Sequence, residues 1–179
     1  MAWTRAWLDG TGRIHNHRDI MSDTPPTHTP NGAAVTQLIQ TVFLVNAQLI
    51  ADGDHLTRDL GFTSARWQVL GAAGSGLRSV AQLARHMSLT RQSVQRLVDW
   101  LVAGGYAVFI DNPDHQRAKL VQLTQKGIDI RRQLQLRQTS WANEMGAALS
   151  AEGLQTTLET LRGFRQALAA AKPGRKAKR

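Results

Sequence analysis

Arginine, glutamine and hydroxyl side chains are concentrated in one short segment that begins at Thr90. A glutamine can form two hydrogen bonds with adenine, an arginine can form two with guanine, and a hydroxyl at a helix start can bind a phosphate. The side chains of these types, which are candidate DNA contacts, are Thr90, Arg91, Gln92, Ser93, Gln95 and Arg96. An ordinary solvated helix face has a similar composition, so this segment alone leaves both interpretations open.

Apolar residues at helical spacing determine which of these side chains share a face. The apolar residues of the segment are Val94, Leu97, Val98 and Leu101. At a step of about 100° per residue they form one buried stripe, which predicts that four polar side chains lie on the opposite face. Those four are Gln92, Gln95, Arg96 and Asp99. Arg91, in the first turn, is expected to reach a phosphate.

The hydrophobic period changes after this helix, from about 3.6 residues to about two. The alternation predicts strands at 106–110 and 119–123, with turn residues at 111–114 between them. A hairpin beside a DNA-reading helix can carry a basic residue to the flanking minor groove, and Arg117 and Lys119 are the candidates here. The hairpin therefore shifts the interpretation toward DNA binding.

The DNA-reading segment is the last of three short helices, and each of them is predicted to begin at a residue that can act as an N-cap. The candidate N-caps are Thr63, Ser79 and Thr90, and after the hairpin Thr124 and Ser150 are candidate N-caps of two further helices. The helices predicted at 79–87 and 90–103 are joined by a brief turn, which is a helix-turn-helix, and a hairpin directly after it makes a winged helix. We therefore predict a mostly α fold, with a winged helix-turn-helix DNA-binding domain at 61–123 and a small β-hairpin as its wing.

Two long helical regions, 31–60 and 124–171, flank that domain. In the first, apolar residues recur at i, i+3, i+4 and i+7, which predicts one buried face. That face consists of Val35, Leu38, Ile39, Val42, Asn46 and Leu49. Leucines between residues 154 and 168 repeat almost like the seam of a coiled coil. We expect both regions to form a helical dimerisation region with a second copy of the chain.

The net charge of +9 is unevenly distributed. Residues 172–179 contribute +5 to this net charge, which predicts a basic disordered tail that either binds phosphate non-specifically or keeps the protein soluble. Residues 1–30 are predicted to be a flexible leader, because the prolines and threonines at 24–30 cannot propagate a helix. Whether Met21 is the true start stays open.

Composition and missing motifs exclude several classes of protein. The chain has no cysteine, which excludes disulfides, thiolate metal sites and cysteine nucleophiles. No apolar run approaches about 18 residues, so we expect no membrane segment and a cytoplasmic location. The sequence lacks metalloprotease, phosphate-loop and serine-hydrolase motifs, so we expect no enzyme, no cofactor and no metal site.

The chain resembles the MarR family of bacterial winged-helix regulators. The stretches that carry the resemblance are Val80–Ala84, Leu89–Val98, Leu101–Val108 and Asn112–Gly127. In the last stretch the family pattern is Asp-x-Arg followed by Val-x-Leu-Thr-x-x-Gly. The combination of stretches is specific, and the resemblance covers residues 33 to 170.

The predicted wing departs from the family pattern at one position. The usual aspartate two residues before the arginine is His115 here, and in the family that acid helps to hold the wing arginine. Asp114 stands next to it and is a candidate substitute. Without such a partner, either Arg117 is less ordered or the contacts of the wing depend on pH through His115.

The resemblance implies a homodimer that binds a pseudo-palindromic operator in double-stranded DNA and thereby represses or activates transcription, and we predict a repressor. In many relatives a small aromatic or phenolic effector, often an anion, releases the DNA. The segments that would hold such an effector contain His55, Arg58, Arg66 and Trp67, although Trp67 also suits the core, and His55 and Arg58 also suit solvent. The alternative is a winged-helix module that coats DNA non-specifically or binds another protein, without a ligand response.

Overall fold

The computed structural model of the protein describes residues 7–8, 14–15, 27–115 and 117–171. The chain divides into two compact units, Met1–Ala47 and Gln48–Arg179. Within the predicted leader, Trp7–Leu8 (β1) and Ile14–His15 (β2) pair as antiparallel strands. The rest of residues 1–26, with Met21, and the whole of the predicted tail at 172–179 lie outside the described residues. The predicted division into leader, dimerisation region, winged domain and tail stays a prediction.

Six helices begin where the sequence predicts them, within the described residues. They are α1 (Pro30–Thr57), α2 (Ser64–Ala73), α3 (Val80–Met87), α4 (Arg91–Ala103), α5 (Gln125–Ala147) and α6 (Ala151–Ala170). A hydroxyl oxygen accepts a hydrogen bond from a backbone N–H three residues later at the start of each helix from α2 to α6. The capping residues are Thr63, Ser79, Thr90, Thr124 and Ser150. Such a cap satisfies a donor that the first helical turn leaves unpaired.

The predicted hairpin is part of a three-stranded antiparallel sheet. Its strands are β4 (Ala107–Ile110) and β5 (Leu120–Leu123), paired with Phe109 opposite Val121. A third strand, β3 (Arg78–Ser79), pairs with the other edge of β5, so the strand order is β3-β5-β4. The sequence does not predict β3, because two residues are too short to show an alternating pattern.

The core of the second unit lies between α2, α3, α4 and the sheet. Val94, Val98 and Leu101 of α4 are fully buried, as the predicted stripe requires, and Leu97 is partly buried. Their partners in the core include Leu70, Leu83 and Val121, each of which is also fully buried. The mostly helical winged helix-turn-helix fold is therefore confirmed.

Helix α1 exposes the face that its periodicity predicts to be buried. The apolar residues of α1 that are at least 37% exposed are Val35, Ile39, Val42, Phe43, Leu44, Val45, Leu49 and Ile50. The apolar face of α1 is thus exposed within one chain, and its burial against a second copy stays a prediction. Periodicity reveals that a helix face is apolar, but it does not reveal which surface covers that face.

The helical stretch Pro30–Leu60 is also long and apolar enough to cross a membrane. An 18-residue window in it has a mean hydropathy of 1.4, and none of that window is buried. This stretch contains no uninterrupted apolar run of that length, because glutamines, threonines and Asn46 interrupt it. These residues lower its mean hydropathy only slightly, so the sequence pattern did not indicate it. Length and composition are weak support for a membrane span, since a core helix of a soluble protein meets the same criterion.

Candidate nucleic-acid interface

The turn between α3 and α4 determines the direction in which α4 starts. Ser88 ends α3 in the left-handed conformation, with φ at 55°. The N–H of Leu89 then donates to the carbonyl of Ala84 over 2.9 Å. The Thr90 hydroxyl oxygen accepts from the N–H of Ser93 over 3.2 Å and begins α4. The two helices are thus joined by three residues, as in a helix-turn-helix.

The solvent-facing side of α4 carries the candidate DNA contacts. The exposed candidates on this helix are Arg91, Gln92, Ser93 and Arg96. The Thr90 hydroxyl donates to Ser93 Oγ over 2.8 Å, so both hydroxyls contribute to the helix start. Gln95 is half-buried, and its Nε2 donates to Asp99 Oδ1 over 2.8 Å. These polar side chains remain open to solvent, because the apolar stripe of α4 faces the core.

Asn112 organises the wing between β4 and β5. Its Oδ1 accepts from the N–H of Asp114 over 3.0 Å, and its Nδ2 donates to the carbonyl of Ala118 over 3.0 Å. The carbonyl of Asn112 also accepts from the N–H of His115 over 3.2 Å. Sequence reasoning missed this role, although the Asn-Pro-Asp run identifies a turn in which an asparagine side chain can bond nearby backbone.

A groove of about 490 Å³ brings the wing and α4 together. The polar residues that line it are Ser79, Arg91, Gln95, His115, Arg117 and Lys119. Four of the eight candidate DNA contacts thus share one surface, and three of those four carry a positive charge. A second, shallower surface on α4 is lined by Arg91, Gln92, Gln95 and Arg96. Arg91 and Gln95 belong to both surfaces, so they lie where the wing side and the helix side meet.

Arg117 has no carboxylate partner among the described residues. Asp114, the candidate substitute for the usual wing aspartate, is exposed, as Arg117 is. The ion pair within the described part of the chain joins Arg137 and Asp59, far along the sequence from the wing. His115 lines the groove beside Arg117. Within the described residues, the wing arginine therefore lacks the carboxylate pair that the family pattern implies.

An aromatic cluster supports the C-terminal end of α4. The rings of Phe62 and Trp100 meet edge to face at 5.2 Å, and those of Trp100 and Tyr106 stack at 5.7 Å. The guanidinium of Arg66 lies 4.0 Å from the centre of the Trp100 ring, where a cation is attracted by the ring face. Trp100 therefore packs against neighbouring elements, and Arg66 has a structural contact. The pattern of residues did not predict this cluster, because its members come from four separate segments.

The junction between α4 and α5 is held by three hydrogen bonds. The Thr124 N–H donates to the Tyr106 carbonyl over 3.0 Å, and the Thr124 hydroxyl donates to the Gly105 carbonyl over 2.7 Å. Lys126 Nζ donates to the Gly104 carbonyl over 2.8 Å. Gly105 has φ at 71°, a conformation that glycine adopts without steric cost. These bonds fix the start of α5 to the turn that ends α4.

A separate cavity of about 340 Å³ is lined by residues of α1, α2 and α5. The lining residues are Leu49, Leu56, Ser64, Trp67, Gln68, Gly71, Gln138 and Trp141. Of the four candidate effector residues, Trp67 lines this cavity, whereas His55 and Arg58 are exposed elsewhere and Arg66 contacts Trp100. The cavity lining therefore combines two tryptophans with neutral polar groups and includes no charged side chain. Trp141 was not among the residues that the sequence suggested for an effector site.

Comparison with known proteins identifies relatives over most of the chain. A family model described as the MarR family matches residues 60–118. The chain is also 33% identical over 139 residues to Uncharacterized protein Rv2011c of Mycobacterium tuberculosis. That match covers 78% of this chain and 97% of the relative.

Solved structures of similar shape include two from E. coli. Wild-type MarR in its apo form has a TM-score of 0.61 at 25% identity, with 71% of this chain and 96% of that chain covered. A mutant MarR complexed with operator DNA has a TM-score of 0.66 at 24% identity, with coverage of 73% and 95%. In both cases nearly the whole of the solved chain is covered.

Proposed function

This chain belongs to the MarR family, and we propose that it is a transcriptional regulator that binds a specific site in double-stranded DNA as a homodimer. One observation carries this proposal: Arg91 and Gln95 of α4 line the same groove as Arg117 and Lys119 of the wing. A helix in the major groove and a wing at the flanking minor groove need such a shared cationic surface. The operator complex of the E. coli relative supports the same mode of binding.

The side chains of α4 divide by chemistry into base readers and phosphate binders. We assign base reading to Gln92, Gln95 and Arg96, since amide and guanidinium groups match adenine and guanine edges. Phosphate contacts suit the helix start, which offers Thr90, Arg91 and Ser93. In the wing, we assign Arg117 to the minor groove and Lys119 to the backbone. Acting on DNA, the protein is expected in the cytoplasm.

A second copy of the chain is the proposed cover for the exposed apolar faces of α1 and α6. On α6, Leu154, Leu158, Leu161 and Leu168 are each at least 37% exposed. Contiguous apolar surface of this kind is characteristic of an interface between subunits. A two-fold dimer would present two copies of α4 to a pseudo-palindromic operator whose half-sites lie about one helical turn apart. Occupying a promoter in this way would repress transcription.

The cavity beside Trp67 and Trp141 is the proposed site of a small aromatic effector. Gly71 lines it from within α2, and a methyl group added at Gly71 meets nothing within 4 Å. An effector that prefers a lobe arrangement unsuited to DNA weakens DNA binding by the same coupling factor. Because Ser64, Gln68 and Gln138 are the polar lining residues, we favour a neutral aromatic ligand with hydrogen-bonding groups over an anion.

Paired probes of equal shape test this effector site. Salicylamide and salicylate differ in charge, and tryptophan fluorescence reports binding near Trp67 and Trp141. We expect saturable quenching that is stronger for salicylamide and is lost in Gly71→Leu, which fills the open space. Tighter binding of salicylate, or quenching that Gly71→Leu leaves unchanged, would contradict this assignment.

A module that coats DNA without sequence preference is the alternative, which the charge of +9 favours. Titrating salt against a selected duplex and a random duplex separates the two functions. A regulator keeps a specificity ratio of at least about 10³, whereas both affinities of a coating protein fall together from nearly equal values. A ratio near one at all salt concentrations would reject the proposed function.

A further inference from the structure

We propose that Asp99 is a specificity-determining residue that orients the amide of Gln95 toward adenine and against guanine. The proposal rests on the proposed function, since it assumes that α4 reads bases. It starts from the hydrogen bond that joins Gln95 Nε2 to Asp99 Oδ1 over 2.8 Å, one helical turn apart.

The position of Gln95 makes its orientation important for recognition. Gln95 is half-buried and lines both the wing groove and the shallower surface on α4. Arg91 flanks it on the N-terminal side, four residues earlier, and Asp99 flanks it on the C-terminal side, four residues later. Residues four apart lie on the same helix face. Gln95 therefore lies between a cationic and an anionic residue on the face that we assign to DNA, and its amide nitrogen donates to the anionic one.

A carboxylate accepts hydrogen bonds but cannot donate them. Only the amide nitrogen of Gln95 can therefore face Asp99, because its carbonyl oxygen would meet another acceptor. Asp99 thus fixes the orientation of the Gln95 amide, with the nitrogen toward Asp99 and the carbonyl oxygen away from it. One N–H and the carbonyl oxygen remain for the DNA.

The two remaining groups match adenine and fail to match guanine. In the major groove adenine offers an acceptor at N7 and a donor at N6, whereas guanine offers two acceptors, N7 and O6. A free glutamine can direct both hydrogens of its NH₂ group at the two guanine acceptors. When Asp99 occupies one of those hydrogens, guanine loses one of the two bonds and adenine loses none. Asp99 therefore selects the base that Gln95 reads.

The negative charge of Asp99 has a second, opposite effect. Asp99 is exposed on the same helix as Arg91 and Arg96, so its carboxylate should repel phosphates and weaken binding to every duplex. Asp99→Asn removes the charge, and its amide can bond Gln95 in either orientation. We expect this variant to bind random duplex more tightly and to discriminate less between bases, a combination that simple loss of helix stability does not produce.

The experiment selects binding sites from a randomised duplex pool with the full-length chain and its variants. We expect the wild type to select adenine at one position in each half-site and Gln95→Ala to lose that preference. Asp99→Asn should select adenine and guanine there with a ratio about tenfold smaller than the wild-type ratio. Glu159→Gln is the matched control, because it alters the same type of pair, Gln155 Nε2 to Glu159 Oε1 at 2.7 Å, on α6.

The possible failures are distinguishable. In one failure, Gln95→Ala loses the preference for adenine while Asp99→Asn keeps the wild-type ratio of adenine to guanine. In that case the role assigned to Asp99 is wrong and the proposed function stands. If Asp99→Asn instead loses a cytosine at a neighbouring position, Asp99 contacts a base directly, which also overturns the positioning role. If neither Gln95→Ala nor Arg96→Ala changes the selected sequence, α4 does not read the bases, and both the inference and the proposed function fail.

Discussion

Arg137 of α5 pairs with Asp59 through both of its terminal nitrogens. Nη2 donates to Asp59 Oδ2 over 2.7 Å, and Nη1 donates to Asp59 Oδ1 and to the carbonyl of Leu56. The hydrogen bond from Arg137 is the main reason why the pKa of Asp59 is lowered, and it also raises the pKa of Arg137. The pair links α5 to the single turn of 3₁₀ helix at Arg58–Leu60.

We expect Asp59→Asn to lower the thermal stability of the protein at neutral pH. The variant should also lose less stability than the wild type when the pH is lowered. Because the folded state lowers the pKa of Asp59, the stabilisation is present above the unfolded pKa of about 3.9 and is lost as the pH falls through the folded value. The melting temperatures of wild type and variant should converge toward pH 2. Thermal unfolding between pH 2 and 7 measures this, with Asp111→Asn in the exposed wing as the control. Parallel curves for Asp59→Asn would contradict the assignment.

We expect Arg96→Ala and Arg117→Ala to weaken DNA binding in different ways. Arg96→Ala should cost about 1–3 kcal/mol on the selected site and relax the sequence preference at one base pair. Arg117→Ala should weaken binding through minor-groove and backbone contacts, with little change in the selected major-groove bases. Fluorescence anisotropy on the selected site and its single-base variants measures both effects. Equal losses on all sequences for Arg96→Ala would count against base reading.

We expect deletion of residues 172–179 to lower the affinity for every duplex and to reduce the dependence of binding on salt. The segment carries five positive charges, and each released counterion contributes to the slope of log affinity against log salt. The ratio of specific to random binding should stay unchanged. If the deletion abolished specificity while Arg96→Ala had no effect, our assignment of base reading to α4 would be wrong.

We expect Leu158→Glu to convert a dimer into a monomer. Leu158 lies in the exposed apolar face of α6, and a carboxylate there would have to be buried without a partner in the proposed interface. Thr156→Glu adds the same charge on the opposite side of α6, about 160° around the helix from Leu158, and should leave the dimer intact. Light scattering coupled to size-exclusion chromatography measures the mass. A wild type that elutes as a single chain would refute the proposed dimer.

We expect Gly127→Ala to destabilise the protein by about 3 kcal/mol, since overpacking of this kind forces the backbone to move. A Cβ at position 127 would lie 2.0 Å from the carbonyl oxygen of Tyr106. Gly146→Ala is the matched control in the same helix, because its Cβ would meet nothing within 4 Å. Chemical unfolding should show a large loss for the first variant and none for the second.

Local signals in the sequence predicted most of the helical architecture. The caps at Thr63, Ser79, Thr90, Thr124 and Ser150 are short-range interactions, so the residues that form them are neighbours in the sequence. The buried side of α4 was predicted for the same reason. By contrast, β3 has two residues, and its pairing with β5 depends on a segment about forty residues away.

The predicted site was recovered less completely than the fold. The sequence identified the polar face of α4 and the basic wing, but it did not indicate that Asn112 shapes the wing or that Asp99 binds Gln95. The contact of Arg66 with Trp100 and the cavity position of Trp141 depend on packing between distant segments. The apolar face of α1 shows the same limit, since its pattern is identical whether the same chain or another copy covers it.

The three hydrogen bonds at the junction of α4 and α5 tie the start of α5 directly to the backbone that ends α4. Together with the tight fit at Gly127, they make the turn after α4 and the first turn of α5 a single rigid corner. We therefore expect a change in the tilt of α5 to shift the C-terminal end of α4 as well. In the proposed dimer, a ligand that changes the tilt of α5 would alter the distance between the two copies of α4 without contacting either of them.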